Sequence, residues 1–423
     1  MDNFSDTQSV RKTVIATEAG VVASQHKRAA QVGAAVLAAG GDAVDAAVAT
    51  SFALGVVEPW MSGAMAGGCM VLWRADEQRA QVVDYGMRSP RGLDPKDYPL
   101  SGAGPSSDLF PWQAVVDDRN VQGATAVAVP GVVSGMGLAH ERYGRKPWRE
   151  LVQPAVQLAQ QGLLVDWYSG LVTASSARAL SQDPHAAAMF LDEGTWPIMG
   201  SWTSTTPRRL DQRALAVSLQ HIADEGPRAL YEGSLARALA QDVQAKGGCL
   251  AETDLAAYQA QWVDPLTVAY RGGHLHAAPG LTGGPTFAQA LGLLEQTFEP
   301  GGRGADARAY EALARTLAAA FRTRLSEMGD HESSKAPGCT THFSVVDRHG
   351  NMCAVTQTLL SIFGSRVVSP STGLLLNNGI MWFDPEPGKA NSLAPNKRVL
   401  ANYCPVVGIG ADGSQFAIGA SGG

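Results

Sequence analysis

The sequence predicts an α+β fold built in layers, and two features of the chain indicate it. Strand-like segments lie towards the two ends while the middle is helical, without a regular alternation of strand and helix. That order favours an α+β or layered sandwich fold over a doubly wound parallel sheet. The segment from Ala43 to Leu54 is apolar on nearly all sides, as expected for a helix buried between two layers.

Glycine and capping residues define the first elements. A helix over residues 25–37 would end at Gly40-Gly41, and Asp42 would cap the buried helix that follows. The other predicted helices cover residues 130–140, 147–161, 210–225, 231–247, 253–261, 286–296 and 305–328, and the other predicted strands cover 69–73, 80–85, 268–270, 274–276, 373–376, 404–410 and 415–419.

The segment from Cys339 to Leu360 is predicted to form a β-hairpin. Two β-rich runs flank a polar break of five residues, which is a length that hairpins use. If the turn is centred on His349, residues whose numbers sum to 698 face each other, so Thr340 lies opposite Thr358. Directly opposed residues have Cβ atoms about 4.5–5.5 Å apart, which brings two hydroxyl groups within reach of each other.

A threonine hydroxyl is a weak nucleophile unless a base lies beside it. If the chain is cut directly before Thr340, the freed α-amine, with an ordinary pKa of about 7.7–8.0, can serve as that base. β-Branched residues are also common in ordinary strands, so Thr340 and Thr341 alone leave a purely structural role open.

Composition and charge exclude several classes of partner. The 423 residues are 45% hydrophobic and 17% charged, with a net charge of -6, and no segment combines basic clusters with aromatic residues. Nucleic acid and anionic membranes are therefore unfavourable partners, and we expect a small-molecule substrate. The first six residues are polar and acidic and no run of about 18 apolar residues occurs, so we expect no membrane partner and a cytoplasmic location.

Cysteine and histidine patterns predict neither a metal nor a cofactor. The five cysteines are odd in number and widely spaced, and they form no Cys-x-x-Cys pair, which argues against a disulfide framework and a zinc site. His274 and His276 point to one side of a predicted strand, but no third ligand accompanies them.

Residues 419–423, Gly-Ala-Ser-Gly-Gly, allow two chemical interpretations. They fit the Gly-x-Ser-x-Gly pattern of serine hydrolases, which would require an acid and a histidine further along the chain, and the sequence ends at Gly423. The alternative is an oxyanion hole, in which backbone N–H groups of a small turn face developing negative charge. That alternative combines with a threonine nucleophile in one site.

The sequence also resembles a known family, the γ-glutamyltranspeptidases, which are N-terminal-nucleophile hydrolases with a four-layer αββα sandwich fold. The resemblance runs almost end to end. The segments that carry it, in the family's order, are residues 40–47, 55–59, 128–131, 153–155, 254–258, 270–272, 340–346, 363–365, 376–378 and 421–423.

The resemblance implies specific roles for five residues. In that family the precursor cuts itself before the first threonine of a Thr-Thr-His motif, here between Cys339 and Thr340. Thr340 would then be the nucleophile and its α-amine the base. Thr358 would supply a second hydroxyl bonded to it, and the N–H groups of Gly422 and Gly423 would stabilise the oxyanion.

The resemblance also implies a division of the chain. Residues 1–339 would form the large-subunit segment, and residues 340–423 a small-subunit segment beginning at the nucleophile. The two segments would remain associated after cleavage, and assembly into a higher oligomer is left as an open alternative. Because the family continues beyond the glycine pair, we expect the small-subunit segment to be truncated at its C-terminus. The part between the helix ending near Met328 and Thr340 is also much shorter than in the family.

The sequence departs from the family where the glutamyl group is held. The family holds this group with an arginine, an asparagine, a polar–acid pair and a pair of serines. In this sequence Gly86 stands at the arginine position and Leu360 at the asparagine position. Gly379 and Trp382 stand at the polar–acid positions, and Ala401 and Asn402 at the serine positions. A zwitterion beside Leu360 and Trp382 would lose its charge partners, and stranding a buried charge costs several kcal/mol. Poor affinity for γ-glutamyl donors follows, unless Arg88 reaches in to hold a carboxylate; a surface role for Arg88 is equally open.

Three hypotheses follow. The first is an autoprocessing threonine amidase or acyltransferase, acting through an acyl-Thr340 ester on a small amide less polar than a glutamyl compound, with water or an amine as acceptor. The second is a true γ-glutamyltransferase or glutathione hydrolase with a rearranged clamp. The third is a non-catalytic relative with a binding role.

Overall fold

The structure, a computed structural model, describes residues 15–106, 110–199, 207–301, 305–329 and 341–421. The strands in those ranges are β1 Gly20–Ser24, β2 Gly67–Arg74, β3 Arg79–Tyr85, β4 Leu100–Pro105, β5 Gln113–Val115, β6 Leu163–Leu164, β7 Leu191–Asp192, β8 Trp196–Pro197, β9 Arg209–Leu210, β10 Gln261–Val263, β11 Leu266–Tyr270, β12 Gly273–Ala277, β13 Thr341–Asp347, β14 Met352–Thr358, β15 Val406–Ile409 and β16 Gln415–Ile418. The α-helices are α1 Lys27–Ala38, α2 Ala43–Val57, α3 Val132–Tyr143, α4 Trp148–Gln161, α5 Trp167–Leu180, α6 Pro184–Phe190, α7 Arg213–Glu225, α8 Gly233–Ala245, α9 Glu252–Ala256, α10 Gly284–Thr297 and α11 Ala307–Glu327.

Two antiparallel sheets pack face to face between layers of helices. The larger sheet has the strand order β1-β13-β14-β2-β3-β10, and the smaller has the order β11-β12-β15-β16. Helices α2 and α3 contact the outer face of the larger sheet, while α10 contacts the smaller sheet and packs against α11. Between the sheets, the ring of Trp73 on β2 stacks on His276 of β12, with 5.8 Å between centroids. The predicted four-layer αββα arrangement is confirmed.

Helix α2 forms the centre of the layer that covers the larger sheet. All of its residues except Gly55 are buried, as its sequence, which is apolar on nearly all sides, predicts. The side chain of Asp42 accepts the N–H groups of Val44 and Asp45, and Asp45 accepts the N–H of Asp42 in return, which completes a capping box. The predicted N-terminal cap of α2 is therefore confirmed.

The predicted hairpin forms with the predicted register. Strands β13 and β14 pair antiparallel, and every described pair, from Thr341 with Gln357 to Val346 with Met352, sums to 698. The turn closes through the carboxylate of Asp347, which accepts the N–H groups of His349 and Asn351. Because β14 also pairs with β2, the hairpin lies at the centre of the larger sheet.

Some predicted elements are wrong. The helix predicted over 253–261 stops at Ala256, and Gln261 begins β10, which pairs with β3. Residues 373–376 do not form a strand, because only Leu375 makes a bridge, to Val368. Strand β1, which precedes the first predicted helix, was not predicted at all. No helix in the part of the chain described is both long and apolar enough to cross a membrane.

Candidate active site

The hairpin presents two chemically different faces, because side chains alternate along a strand. His342 and Ser344 of β13 share one face with Thr356 of β14, since the His342 ring contacts both hydroxyls. Thr341 points to the opposite, helix-covered face, where its hydroxyl lies near Glu58. The polar groups of the first face lie between the two sheets.

Thr358 ends β14 on that inter-sheet face, and a tight turn holds its hydroxyl. Its Oγ1 accepts the N–H of Leu360 at 2.8 Å, and the side chain is only 1% exposed. Leu360 has a φ of +88°, a region that residues other than glycine rarely occupy and that costs about 1–3 kcal/mol. Two hydrogen bonds hold this strained turn. The N–H of Leu359 donates to Met61 O, and the N–H of Ser361 donates to Asn378 Oδ1.

His342 is buried and bonded through both ring nitrogens. Nδ1 lies 2.9 Å from Thr356 Oγ1, and Nε2 lies 2.9 Å from Ser344 Oγ. Burial lowers the pKa of His342 to about 4, so the ring is neutral at physiological pH. The ring is therefore an uncharged, fixed part of the inter-sheet face.

Ser421 lies beside the beginning of β13. Strand β1 pairs with β13 only as far as Phe343. The N–H of the preceding residue, His342, donates instead to Ser421 Oγ at 2.8 Å. Ser421 thus replaces a strand partner at the point where β13 begins. This bond brings the Gly-x-Ser segment next to the residue that follows Thr340.

An apolar cluster adjoins Thr358 on its other side. Gly67 is the β2 partner of Thr358, and a Cβ built on Gly67 would lie 2.6 Å from Met87 Cγ and 3.2 Å from the Tyr403 hydroxyl. Tyr403 packs edge-to-face on Trp382, with 5.6 Å between ring centroids. We call this group the acyl-side cluster; its buried members are Met87, Leu360, Trp382, Ala401 and Tyr403.

Two hydrogen-bonding groups in the acyl-side cluster lack a partner among the described residues. They are the indole Nε1–H of Trp382 and the hydroxyl of Tyr403, and both residues are at most 1% exposed. Unpaired buried polar groups are rare in native proteins, because each costs about 1–3 kcal/mol. The buried guanidinium of Arg324 donates to the carbonyl oxygen of Ala401, a member of this cluster, at 2.9 Å.

Two of the predicted substrate-binding residues lie elsewhere. Arg88 is half-buried and donates to the carbonyl of Asn396 at 3.1 Å, in a polar pocket of about 270 Å³ that it shares with Asp254 and Tyr258. Asn402 lines a separate pocket, between α10 and α11. The structure therefore brings Leu360 and Trp382 together near Thr358, but it does not bring Arg88 or Asn402 into the acyl-side cluster.

Glu58 occupies the helix-covered face of β13. It is 4% exposed, and one of its carboxyl oxygens lies 3.5 Å from the Thr341 hydroxyl. Burial raises the pKa of Glu58 to about 7, partly offset by the hydrogen bond from Thr341. A carboxyl group that is partly protonated at neutral pH thus lies beside the residue that follows Thr340.

Comparisons with known proteins identify the family. The family model described as gamma-glutamyltranspeptidase matches residues 29–339 and 333–423. The chain belongs to the gamma-glutamyltranspeptidase family. Among curated relatives, the acylase ACY 1 proenzyme of Pseudomonas sp. (strain V22) is 34% identical over 95% of this chain and 76% of its own length. The glutathione hydrolase proenzyme of Escherichia coli (strain K12) is 31% identical over 96% of this chain and 75% of its own length.

Solved structures of family members agree with the fold. The gamma-glutamyltranspeptidase from Pseudomonas nitroreducens, complexed with L-DON, is 30% identical, with a TM-score of 0.63 over 74% of this chain and 89% of that one. The cephalosporin acylase from Bacillus halodurans has a TM-score of 0.81 over 96% of this chain and 78% of that one; at 24% identity it supports the fold alone. As a member of this N-terminal-nucleophile family, the chain is an amidohydrolase or acyltransferase of the autoprocessing γ-glutamyltranspeptidase type.

The remaining predicted site residues of this gamma-glutamyltranspeptidase relative, Cys339, Thr340, Gly422 and Gly423, lie outside the described residues. Their roles stay predictions.

Sequence reasoning missed four residues that the structure brings to the site. His342 and Glu58 both lie within segments that carry the family resemblance, so a signal for them was present. Met87 and Tyr403 carry no such signal, because they meet Gly67 only through the folding of distant segments.

No group of three or more His, Cys, Asp or Glu side chains that could hold a metal ion occurs in the ranges the structure describes.

Proposed function

We propose that the chain cleaves itself between Cys339 and Thr340 and then hydrolyses or transfers the acyl group of a small amide through an ester on Thr340. The acyl group is less polar than glutamate. Water or an amine is the acceptor, and no cofactor takes part. The cytoplasmic location expected from the first residues also stays a prediction.

Self-cleavage needs only groups of the chain and one water. The Thr340 hydroxyl attacks the carbonyl carbon of Cys339, the bond from that carbon to the Thr340 nitrogen breaks, and the hydroxyl proton passes to that nitrogen. The product is an ester between Cys339 and Thr340. Water then hydrolyses the ester, which leaves a carboxylate on Cys339 and a free α-amine and hydroxyl on Thr340.

Turnover uses the same hydroxyl with the new amine as base. The α-amine takes the hydroxyl proton while the oxygen attacks the substrate carbonyl, and the resulting ammonium protonates the leaving amine. An acceptor then attacks the acyl-Thr340 ester and gives its proton to the α-amine. The ester bond to the Thr340 oxygen breaks, the product leaves, and the ammonium returns that proton to the Thr340 oxygen. Thr358 would hold the Thr340 oxygen in place, and the N–H groups of Gly422 and Gly423 would stabilise the oxyanion.

The observation that carries this proposal is the register of the hairpin. Every described β13–β14 pair sums to 698, so a further pair in the same register would join Thr340 to Thr358. The hydroxyl of Thr358 is already fixed by the N–H of Leu360. Ser421 is bonded to β13 only two residues from Thr340, which supports a contribution of the adjacent glycines to the same site.

The acyl-side cluster supports a substrate that is less polar than glutamate. The five side chains of the cluster beside Thr358 are uncharged, and the buried guanidinium of Arg324, which donates to the Ala401 carbonyl, is already bonded to Thr282 O and Thr286 Oγ1. A buried uncompensated charge costs several kcal/mol, which an apolar acyl chain avoids. Two relatives named acylase ACY 1 proenzyme, each 34% identical, are consistent with such a substrate.

A second candidate is γ-glutamyl transfer or hydrolysis with a rearranged clamp. The relatives named glutathione hydrolase, at 29–32% identity, favour it. Arg88 would then have to leave the Asn396 carbonyl to which it donates. The absence of that movement would favour the first candidate.

A denaturing gel and a substrate panel test the proposal. Wild-type protein should give a 339-residue and an 84-residue fragment, whereas Thr340→Ala should stay whole. Phenylacetyl-4-nitroanilide should be turned over faster than γ-glutamyl-4-nitroanilide. Turnover of the glutamyl compound alone would establish the second candidate, and an uncut wild type without turnover would leave a binding role.

A further inference from the structure

Helices α10 and α11 enclose a second apolar pocket, next to the segment that carries Asn402. Its volume is about 360 Å³, within the range of about 300–1,000 Å³ that is typical of small-molecule sites. We call it the α10–α11 pocket, and its apolar walls are formed by Phe287, Leu291, Leu294, Leu313, Leu317 and Phe321. A pocket of this size and lining can hold a small apolar group.

The α10–α11 pocket is elongated and has one polar end. Arg324, in the last turn of α11, donates to the hydroxyl of Thr286, in the first turn of α10, at 2.6 Å. Gln289 donates to Thr323 further along, so the two helices run antiparallel. From Leu313 to Arg324 the pocket follows α11 for about 16 Å, at about 1.5 Å per residue. A long ligand with a single polar end matches this form.

Arg324 brings a buried positive charge to the polar end without an acidic partner. The residue is 1% exposed, and its guanidinium donates to Thr282 O, Thr286 Oγ1 and Ala401 O, which are all uncharged. Its Nε–H has no hydrogen-bond partner in the described part of the chain. Burial lowers the pKa of Arg324 well below its ordinary value, with only a small opposite effect from Cys404.

The residues that line the pocket do not supply the missing negative charge. None of those that the structure describes is an aspartate or a glutamate. Buried charges in proteins are normally paired, because an uncompensated charge in an apolar environment is costly. The polar end of the α10–α11 pocket therefore favours an anion.

The apolar wall of the pocket is open to solvent along α11. Leu317 and Phe321 are each 43% exposed, and Leu313 is 37% exposed. Covering such side chains removes apolar surface from water, which favours binding of a hydrocarbon chain. A buried unpaired guanidinium and an exposed apolar wall together select a ligand that is both anionic and apolar.

We propose that the α10–α11 pocket binds a carboxylate with an unbranched alkyl chain of about the length of decanoate. The carboxylate accepts the Nε–H of Arg324, as a charge-assisted hydrogen bond, and the chain lies against Leu313, Leu317 and Phe321. An acetate ion would leave the apolar wall exposed, and an uncharged alcohol would leave the guanidinium unpaired. The inference goes beyond the proposed function and does not depend on it.

Calorimetric titration of the full chain at pH 7.4 tests the choice of ligand. Decanoate is ionised at this pH, whereas decanol has the same chain without the charge. Decanoate should bind at least about tenfold more tightly than decanol, and acetate should not bind measurably. Equal affinities for decanoate and decanol, or no binding of decanoate, would overturn the inference.

Arg324→Gln tests the guanidinium, with Arg322→Gln as the matched control. Arg322 is exposed on the same helix and does not line the pocket. Arg324→Gln should weaken decanoate binding about tenfold or more and change decanol binding less than twofold, because only the carboxylate loses its partner. Arg322→Gln should leave both affinities within twofold of wild type. A folded Arg324→Gln protein with wild-type affinity for decanoate would contradict the proposal.

Leu317→Gln provides an independent reading should Arg324→Gln fail to fold. Leu325, which is 41% exposed on α11 and does not line the pocket, gives the matched control Leu325→Gln. Leu317→Gln should weaken decanoate and decanol alike by about fivefold or more, because both lose an apolar contact. Leu325→Gln should change neither by more than about twofold. Unchanged affinities in Leu317→Gln would place the ligand elsewhere and overturn the inference.

Sedimentation of the same proteins examines the other occupant that an apolar wall could have. A wild-type dimer that Leu317→Gln dissociates, together with no binding of decanoate, would assign the α10–α11 pocket to a second copy of the chain and overturn the inference. None of these measurements uses self-cleavage or turnover, so the proposed function stands or fails separately.

Discussion

The two sides of Thr358 differ in the kind of interaction that each can offer. On the β13 side lies a hydrogen-bonded group of His342, Ser344, Thr356 and Ser421. On the β2 side lies the acyl-side cluster, which is apolar and carries two hydrogen-bond donors without a described partner. The proposed function assigns the reacting groups to the first, polar side and the acyl group of the substrate to the second, apolar side. Under the proposed function, the comparison teaches that a family member can keep the polar side of the site while the residues on the other side lose the charged groups that would bind a glutamyl substrate.

The largest effect should come from the nucleophile itself. Thr340→Ala removes the hydroxyl, so the chain should stay uncut and turnover should fall by about a thousandfold or more. The check is a denaturing gel together with the rate on phenylacetyl-4-nitroanilide. Thr340→Ser is the control, because it keeps a hydroxyl and should retain cleavage. If the Thr340→Ala chain is still cut, Thr340 is not the nucleophile of self-cleavage.

Returning polar groups to the acyl-side cluster should change the substrate preference. In Leu360→Asn with Trp382→Asp, the ratio of kcat/KM for the γ-glutamyl anilide to that for the phenylacetyl anilide should rise about a hundredfold. The reason is that hydrogen bonds to charged groups contribute about 1.5–3 kcal/mol each. Asn also tolerates the left-handed backbone at position 360 better than Leu.

Leu360→Met with Trp382→Phe is the apolar control and should keep the wild-type preference. If the polar double variant also keeps it, the acyl-side cluster does not select the acyl group, and the comparison between the two sides fails.

The two faces of β13 should give opposite pH dependences of stability. The pKa of His342 is lowered from 6.5 to about 4, so the unfolded chain binds more protons between these values and stability is lost as pH falls through that window. The pKa of Glu58 is raised from 4.5 to about 7, so stability is lost as pH rises from 4.5 through 7. Each contribution is on the order of 3 kcal/mol at most.

Urea unfolding between pH 4 and pH 8 measures how the free energy of unfolding changes with pH on the acid side and on the alkaline side. Glu58→Gln should remove the loss on the alkaline side, and His342→Gln should remove the loss on the acid side. Identical pH profiles for the wild type and both variants would contradict the burial that the structure assigns to these groups.

The smallest effect should come from Arg88. Its guanidinium donates to the Asn396 carbonyl in a separate polar pocket, and it does not belong to the acyl-side cluster. Arg88→Ala should therefore change kcat/KM on phenylacetyl-4-nitroanilide by no more than about twofold. A large loss confined to the γ-glutamyl anilide would instead assign Arg88 to a carboxylate and favour the second candidate function.

The sequence predicted the register of the hairpin better than the contacts around Gly67, for a physical reason. Thr358 and its register depend on a five-residue turn and on strand alternation, which are local and can be counted along the chain. The contact of Gly67 with Met87 and Tyr403 joins residues up to about 340 positions apart, and no local pattern encodes it. Leu360 and Trp382 were predicted only because they replace polar residues of a known family.

The prediction of the fold shows the same difference between features set locally and features set by distant parts of the chain. The buried helix α2 and its Asp42 cap follow from local composition and capping, and both were predicted correctly. Strand β1 was missed, and the helix over 253–261 was extended too far, because pairing with β13 and with β3 determines those segments. Tertiary pairing outweighs local propensity in short segments.

The most direct test of the central assignment is the mass of the denatured chains before and after incubation with phenylacetyl-4-nitroanilide. The account predicts fragments of 339 and 84 residues, with a phenylacetyl adduct on the smaller fragment at its N-terminal Thr340. An intact 423-residue chain that nevertheless turns over the anilide, or an adduct on any other residue, would contradict it.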